Sequence, residues 1–483
     1  MKTITAITLT LFLLFITGNF TAWAQQEFDP VPEYIPKAKI DTSPVKLPEI
    51  TKKTLKNGLI VYYIPHKELP VVSMRLLILS GSLYNPMDEP GLTEFMAGLL
   101  SKGTEKRTAT QIAQEIDFIG GNLNNGAGWN GTYVQTDVLA RDFEKGLDLL
   151  TDVALHPTFP EEEIERSRKQ TLSSLMSNKD EPDVIADQQF NHFVYGEHPY
   201  AFPEEGTMES VPAFNHDSLV KQYKRLFVPG NAVFTVAGDF DLKKAHKLVE
   251  RYFADWKSGD KPQPASEDAI RGAGGEILLI DKTDAVQSEI RLGYILGPYN
   301  LGEDYYAFNM MDYIFGGGGF SSRLMLRIRN ELGLTYDIYS DLSAKQQAGA
   351  YTIGSFTKLE STGEIIDEIY SVMRKTIQEG FTEEELNDAK SFLVGQYPNR
   401  FEVPNQIATQ FQTVLLYKFG DPVDHISRYR ERIASVTLED VNRMAKKYLH
   451  PDWLRITVVS NAEAVKGQLE KFGKIEQKSI DEL

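Results

Sequence analysis

Two short stretches of this chain recur 222 positions apart. Phe159-Pro160-Glu161-Glu162-Glu163-Ile164 returns as Phe381-Thr382-Glu383-Glu384-Glu385-Leu386. Leu226-Phe227-Val228-Pro229, followed by Phe234-Thr235-Val236, returns as Tyr448-Leu449-His450-Pro451, followed by Ile456-Thr457-Val458. Two motifs in one order at one offset point to duplication of a whole domain, since the period far exceeds that of a solenoid repeat. The β-rich runs 71–79 and 287–296 pair at a shift nearer 216, so small insertions separate the copies. Each copy reads as strands, helices, a strand, more helices and a final strand. That is too few strands per helix for a doubly wound parallel sheet. The expected class is α+β: two duplicated domains, each an antiparallel-rich sheet with helices covering one face.

Local signals place the elements. Leu59-Ile60-Val61-Tyr62-Tyr63-Ile64 and 71–79 are β-rich runs around the turn-like His66-Lys67-Glu68. Thr108 opens a capped helix with Ile112, Ile116 and Ile119 at helical spacing, and Gly120-Gly121-Asn122 breaks it. A strand is predicted over 133–139 and a helix over 143–155. Residues 25–48, with Pro30, Pro32, Pro36, Pro44 and Pro48, read as an extended arm. The predicted division is therefore 1–24 signal, 25–48 arm, 49–258 first domain, 259–275 solvated linker and 276–483 second domain.

The first 24 residues carry Lys2, an apolar stretch over 4–17 and small residues at Ala22 and Ala24, the pattern of a cleaved export signal. The apolar run is short for a membrane span, so no membrane insertion is expected after cleavage, and the expected location is periplasmic or otherwise exported. With no cysteine among 483 residues, disulfides, thiolate metal sites and a cysteine nucleophile are excluded. A formal charge of −17 argues against nucleic acid as a partner.

The chemistry-bearing candidates lie in two places. Gly91-Leu92-Thr93-Glu94-Phe95-Met96-Ala97-Gly98-Leu99-Leu100-Ser101-Lys102-Gly103-Thr104 is a short apolar helix followed by a turn. Gly316-Gly317-Gly318-Gly319 leads through Arg323 and Arg329 to Tyr336. Four glycines permit close backbone approach, and no phosphate-loop pattern accompanies them. No two of the eight histidines are four apart, so no helical histidine pair exists. His192 and His198 lie closest together, without a ligand pattern around them.

The 91–104 stretch resembles the active-site helix of the pitrilysin/insulinase family of zinc peptidases. Gly120-Gly121, 159–166, His198-Pro199-Tyr200, 231–239 and 316–336 follow in family order. Family members carry H-x-x-E-H between a similar Gly-Leu and a similar Lys-Gly-Thr. Two histidines at i and i+4 then grip zinc from one helix face, and the glutamate activates water. Here those positions are Glu94, Ala97 and Gly98. The family's third ligand, a glutamate, falls at Ser173, Ser174 or Leu175, none of them a carboxylate. The resemblance thus implies no metal and no catalytic residue in this chain.

In the family an Arg and a Tyr seven residues apart bind substrate, and Arg329 and Tyr336 match them. Arg supplies fixed donors to a peptide carbonyl, and a Tyr hydroxyl can donate to a developing oxyanion. The resemblance implies a clamshell of two domains around a chamber. It also implies that this chain is the substrate-binding, non-zinc subunit of a heteromeric peptidase. Its expected partners are a related zinc-binding subunit, which would hold the zinc cofactor, and a peptide or unfolded-protein substrate. The alternative is a proteolytically inactive peptide-binding or scaffold homologue with no enzymatic partner.

Overall fold

A computed structural model describes residues 40–264 and 274–483. The predicted signal, the arm up to residue 39 and most of the linker lie outside the described residues. Within each half, six strands form one sheet. In the first half β1 (Thr51–Thr54), β2 (Ile60–Pro65), β3 (Val71–Ile78), β4 (Asn122–Ala127), β5 (Thr132–Leu139) and β6 (Ala232–Gly238) stand in the order β1-β2-β6-β3-β5-β4. In the second half β7 (Glu276–Asp281), β8 (Gln287–Gly297), β9 (Ile338–Leu342), β10 (Gly349–Lys358), β11 (Arg455–Ser460) and β12 (Lys474–Ser479) stand as β12-β7-β11-β8-β10-β9. Five consecutive strands correspond one to one, β2-β6-β3-β5-β4 with β7-β11-β8-β10-β9.

The sixth strand of each sheet differs. β1 pairs antiparallel with β2, whereas β12 pairs parallel with β7. Most of the other ladders are antiparallel, and β2–β6 and β7–β11 are the parallel exceptions in matching places. The α+β duplication read from the sequence is therefore the architecture. Helices Phe143–Leu155 and Ala109–Phe118 form as expected, the latter with a Thr108/Gln111 capping box, and helix Glu161–Asn178 starts within the first recurring motif. Thr382 caps Glu383–Gln396 in the same way.

One expectation needs correction: helices cover both faces of each sheet. On the first sheet Val61 and Tyr63 join a core with Met96, Leu147 and Ile164 from that half's own helices. The alternating residues Tyr62 and Ile64 point the other way, into a core with Phe411 and Ile407 of helix Pro404–Leu416, which belongs to the second half. The exchange is mutual. Helix Pro182–Tyr195 of the first half lies on β8 and β11, and its Ile185 and Ala186 bury against Leu278, Ile280 and Val459. Gly293 makes room for it, since a Cβ there would stand 2.8 Å from the Phe190 ring. The physical reason is visible in β6, which is buried at every position and so has two faces to cover.

The proximal part of the arm is also less detached than its prolines suggest. Residues 40–50 carry no helix, and Val45 and Leu47 pack against the second half's core. Arg430 donates to the Ser43 carbonyl at 3.1 Å and pairs with the Asp41 carboxylate at 3.0 Å. Among the described residues no helix is long and apolar enough to cross a membrane.

Candidate functional site

Helix Leu92–Leu99 is held firmly in the place its sequence advertises. Gly91 begins it with φ +90°, and a Cβ there would lie 2.3 Å from the Gly206 Cα, so two glycine backbones touch. Asn85 Oδ1 accepts from the Thr93 amide at 2.9 Å and from its hydroxyl at 2.5 Å, while Gln222 Nε2 donates to Thr93 Oγ1 at 2.8 Å. Asn125 Nδ2 donates to the Ala97 carbonyl at 2.7 Å. This scaffold fixes three side-chain positions, and their chemistry is now different.

Glu94 Oε2 accepts the Ala127 amide at 2.7 Å. Burial pushes its carboxyl up, the Ala127 amide opposes that, and Glu205 reinforces it. Ala97 is fully buried. Gly98 is exposed, and a Cβ there would meet nothing within 4 Å. Ser173 and Ser174 are exposed on the neighbouring helix Glu161–Asn178, while Leu175 is buried. A carboxylate tied to an amide, a methyl group and a hydrogen cannot furnish zinc's ligands and general base. Among the described residues no group of three or more His, Cys, Asp or Glu is placed to hold a metal. Zinc does not fit this site. His198, considered as a loop ligand, instead accepts the Tyr200 amide on Nδ1 at 3.1 Å and meets Gln347 Oε1 at 3.2 Å.

Beside Glu94 stands a group that the sequence did not single out. Burial, with Glu94 and Glu205 adding to it, lifts the Glu204 carboxyl to about 7, against the pull of Lys345. Burial likewise draws the Lys345 ammonium down to about 7, against Glu204. The only hint in the sequence is the Glu204-Glu205 pair shortly after His198-Pro199-Tyr200; nothing there marks Lys345 as its neighbour.

The second candidate place is built on irregular backbone. Helix Tyr305–Asp312 runs into a π-helical turn at Tyr313–Gly317, and a second π-helical segment, Met325–Glu331, carries Arg329. The glycines are sterically required. A Cβ on Gly316 would meet Ser340 Oγ at 2.4 Å, and one on Gly317 would meet Asp312 Oδ2 at 2.7 Å. Asp312 anchors this region, accepting from Ser340 Oγ at 2.6 Å and Tyr351 OH at 2.8 Å. Burial still pushes its carboxyl up to about 7.

Arg329 and Tyr336 are brought together. The guanidinium carbon lies 5.0 Å from the Tyr336 ring and 4.7 Å from the Phe320 ring, within cation–π range. Phe320 is 67% exposed and Tyr336 74% exposed. The two rings flank the guanidinium and are themselves open to solvent rather than packed in the core.

The sequence matches the family profile "Insulinase (Peptidase family M16)" over residues 61–207 and the profile "Peptidase M16 inactive domain" over residues 213–393. An uncharacterized zinc protease of Rickettsia felis is 32% identical over 341 residues, covering 70% of this chain and 81% of that one. Another, of Mycobacterium leprae, is 30% identical over 406 residues, covering 83% and 89%. Among solved structures, a peptidase M16 inactive domain from Pseudomonas fluorescens superposes with a TM-score of 0.79 at 25% identity, covering 85% of this chain and 97% of that one. The first half of the periplasmic protease PqqL from Escherichia coli gives 0.71 at 16%, covering 88% and 95%, and shares the fold. On this sequence likeness, and with a duplicated fold to match, the chain is a member of the insulinase (M16) peptidase family.

Proposed function

We propose that this chain is the non-catalytic, substrate-binding subunit of an exported insulinase-type metallopeptidase, acting on peptides or unfolded proteins beside a related zinc-bearing subunit. One observation carries the reading. The helix that should hold zinc is preserved as a scaffold with its ligand positions changed to Glu94, Ala97 and Gly98, while a half-buried Arg329 stands against an exposed Tyr336. Loss of the whole fold would leave neither; loss of one function leaves this combination. The export signal read at residues 1–24 and the periplasmic location of one structural relative, PqqL, support an extracytoplasmic location.

Reconstitution with a zinc-bearing relative from the same genome tests the proposal. The chain alone should be inert, the pair active, and Arg329→Ala in this chain should lower the pair's kcat/KM at least tenfold. Full activity of the mutant pair, or of the zinc-bearing chain without this one, overturns it.

A further inference from the structure

The loop 343–348 between β9 and β10 belongs to the second half, yet the first half holds much of it. Asn130 Nδ2 donates to the Ala344 carbonyl at 3.1 Å, and Asn130 Oδ1 accepts the Gln346 amide at 3.1 Å. His198 Nε2 meets Gln347 Oε1 at 3.2 Å, and Tyr195 OH donates to the Ala348 carbonyl at 2.7 Å. Asn130 is itself fixed by the Tyr200 hydroxyl at 3.0 Å. At the centre of this seam is Lys345, only 5% exposed.

A lysine is almost never buried unless something compensates its charge. Here three aromatic faces do so. Lys345 Nζ lies 4.7 Å from the Trp129 ring, 4.5 Å from Tyr195 and 4.7 Å from Tyr200. Trp129 and Tyr200 meet edge to face, with centroids 5.2 Å apart, which angles two walls around one point. The Glu204 carboxylate lies against the Trp129 backbone, near enough to favour the charged ammonium. Three rings and a carboxylate are the arrangement that recognises an alkylammonium. All four side chains come from the first half and the ammonium from the second.

We propose that Trp129, Tyr195, Tyr200 and Glu204 form an ammonium-binding cage whose resident ligand is the Lys345 side chain, and that this cage clasps the second half onto the first. The clasp closes directly beside the remodelled helix. Trp129 and Asn130 sit in the β4–β5 turn, and that hairpin also presents the Ala127 amide to Glu94. The inference stands apart from the proposed subunit role and needs neither zinc nor a partner.

Chemical rescue tests it. Lys345→Ala empties the cage, and hydrogen exchange at 128–131 and 343–348 should rise at least tenfold while β3 and β8 stay protected. Millimolar n-propylammonium, which replaces the deleted part of the side chain, should restore protection in both segments; 1-propanol at the same concentration should not. Unchanged exchange in the variant, or equal rescue by the alcohol, overturns the cage. A second measurement uses the unmutated chain: reductive methylation should spare Lys345 while exposed lysines such as Lys52 and Lys243 react. Modification of Lys345 at their rate overturns the clasp as well.

Discussion

Arg75 and Arg291 occupy one and the same place in the two sheets. Each lies across the ladder from a threonine of the neighbouring strand, Thr235 and Thr457, and each reaches a polar side chain on the helix lent by the other half. Arg75 Nε donates to Gln412 Oε1 at 2.9 Å, and Arg291 Nε donates to Asp187 Oδ1 at 2.5 Å. The chain thus repeats a device as well as a fold: a basic strand residue that registers an exchanged helix.

The first prediction follows from the Arg75 side of that pair. Gln412 is 2% exposed, and its amide also donates to the Arg75 carbonyl at 3.0 Å and to Thr235 Oγ1 at 3.1 Å. Burial already draws the Arg75 guanidinium down to about 10. Gln412→Ala strands these groups and should cost about 2 kcal/mol. The check is a urea titration, in which the midpoint falls with the slope unchanged.

Metal content gives the second. After dialysis the natural chain should retain no zinc. Glu94→His with Gly98→His places two imidazoles on one helix face, and Gly98 points into open space. That variant should bind zinc more tightly than the natural chain yet, with no carboxylate at 173–175 to serve as third ligand, should lose it on dialysis; adding Ser174→Glu should raise retention. Stoichiometric zinc in the unmodified protein would contradict the account of the site.

Tyr336 separates the ring from its hydroxyl. Tyr336→Phe keeps the aromatic face 5.0 Å from Arg329 but removes the donor. In the reconstituted pair kcat should fall by about a hundredfold if the hydroxyl stabilises the oxyanion. Thermal stability should stay within about 0.5 kcal/mol, because the ring is exposed. A change confined to KM would assign Tyr336 to ground-state binding instead.

Asp312 predicts a pH dependence of stability. Its folded value of about 7 lies above the ordinary 3.8, so between those limits the folded chain binds the extra proton. Its contribution is present at pH 4, declines as pH rises, and is lost above pH 7. The displacement corresponds to about 4 kcal/mol. Asp312→Asn should flatten this part of the stability curve, read from denaturation midpoints at pH 4, 5.5 and 7.5.

Much of this was legible in the chain. The Phe159/Phe381 and Pro229/Pro451 recurrences announced the duplication, because helix starts and strand entries carry local chemistry that survives divergence. The metal positions were readable only through resemblance to the family's H-x-x-E-H helix, whose ligand spacing is a local property. Arg329 and Tyr336 were picked out by resemblance to the family's Arg and Tyr, yet their neighbour Phe320 was not, since a cation–π trio drawn from a 3-10 turn, a π-helical segment and a bend has no sequence period. The helix exchange left a signal that went unused. Pro182, Ile185 and Ala186 recur as Pro404, Ile407 and Ala408, again 222 apart. What no local pattern could show is where those helices go, because each docks on a sheet more than a hundred residues away. Lys345 and Glu204 share that blindness. Their meeting is purely tertiary.

The exchanged helices also bear on how such a chain could have been assembled. A single half expressed alone would leave one sheet face bare at Tyr62, Ile64, Val233 and Ala237, and would carry a helix with nothing of its own to cover. Two copies of that half, trading helices about a twofold axis, would satisfy both needs. The present molecule has the plan of such a pair within one chain, joined through residues 259–275. Severing the backbone there should yield two fragments that stay bound to each other, neither of them a free-standing domain.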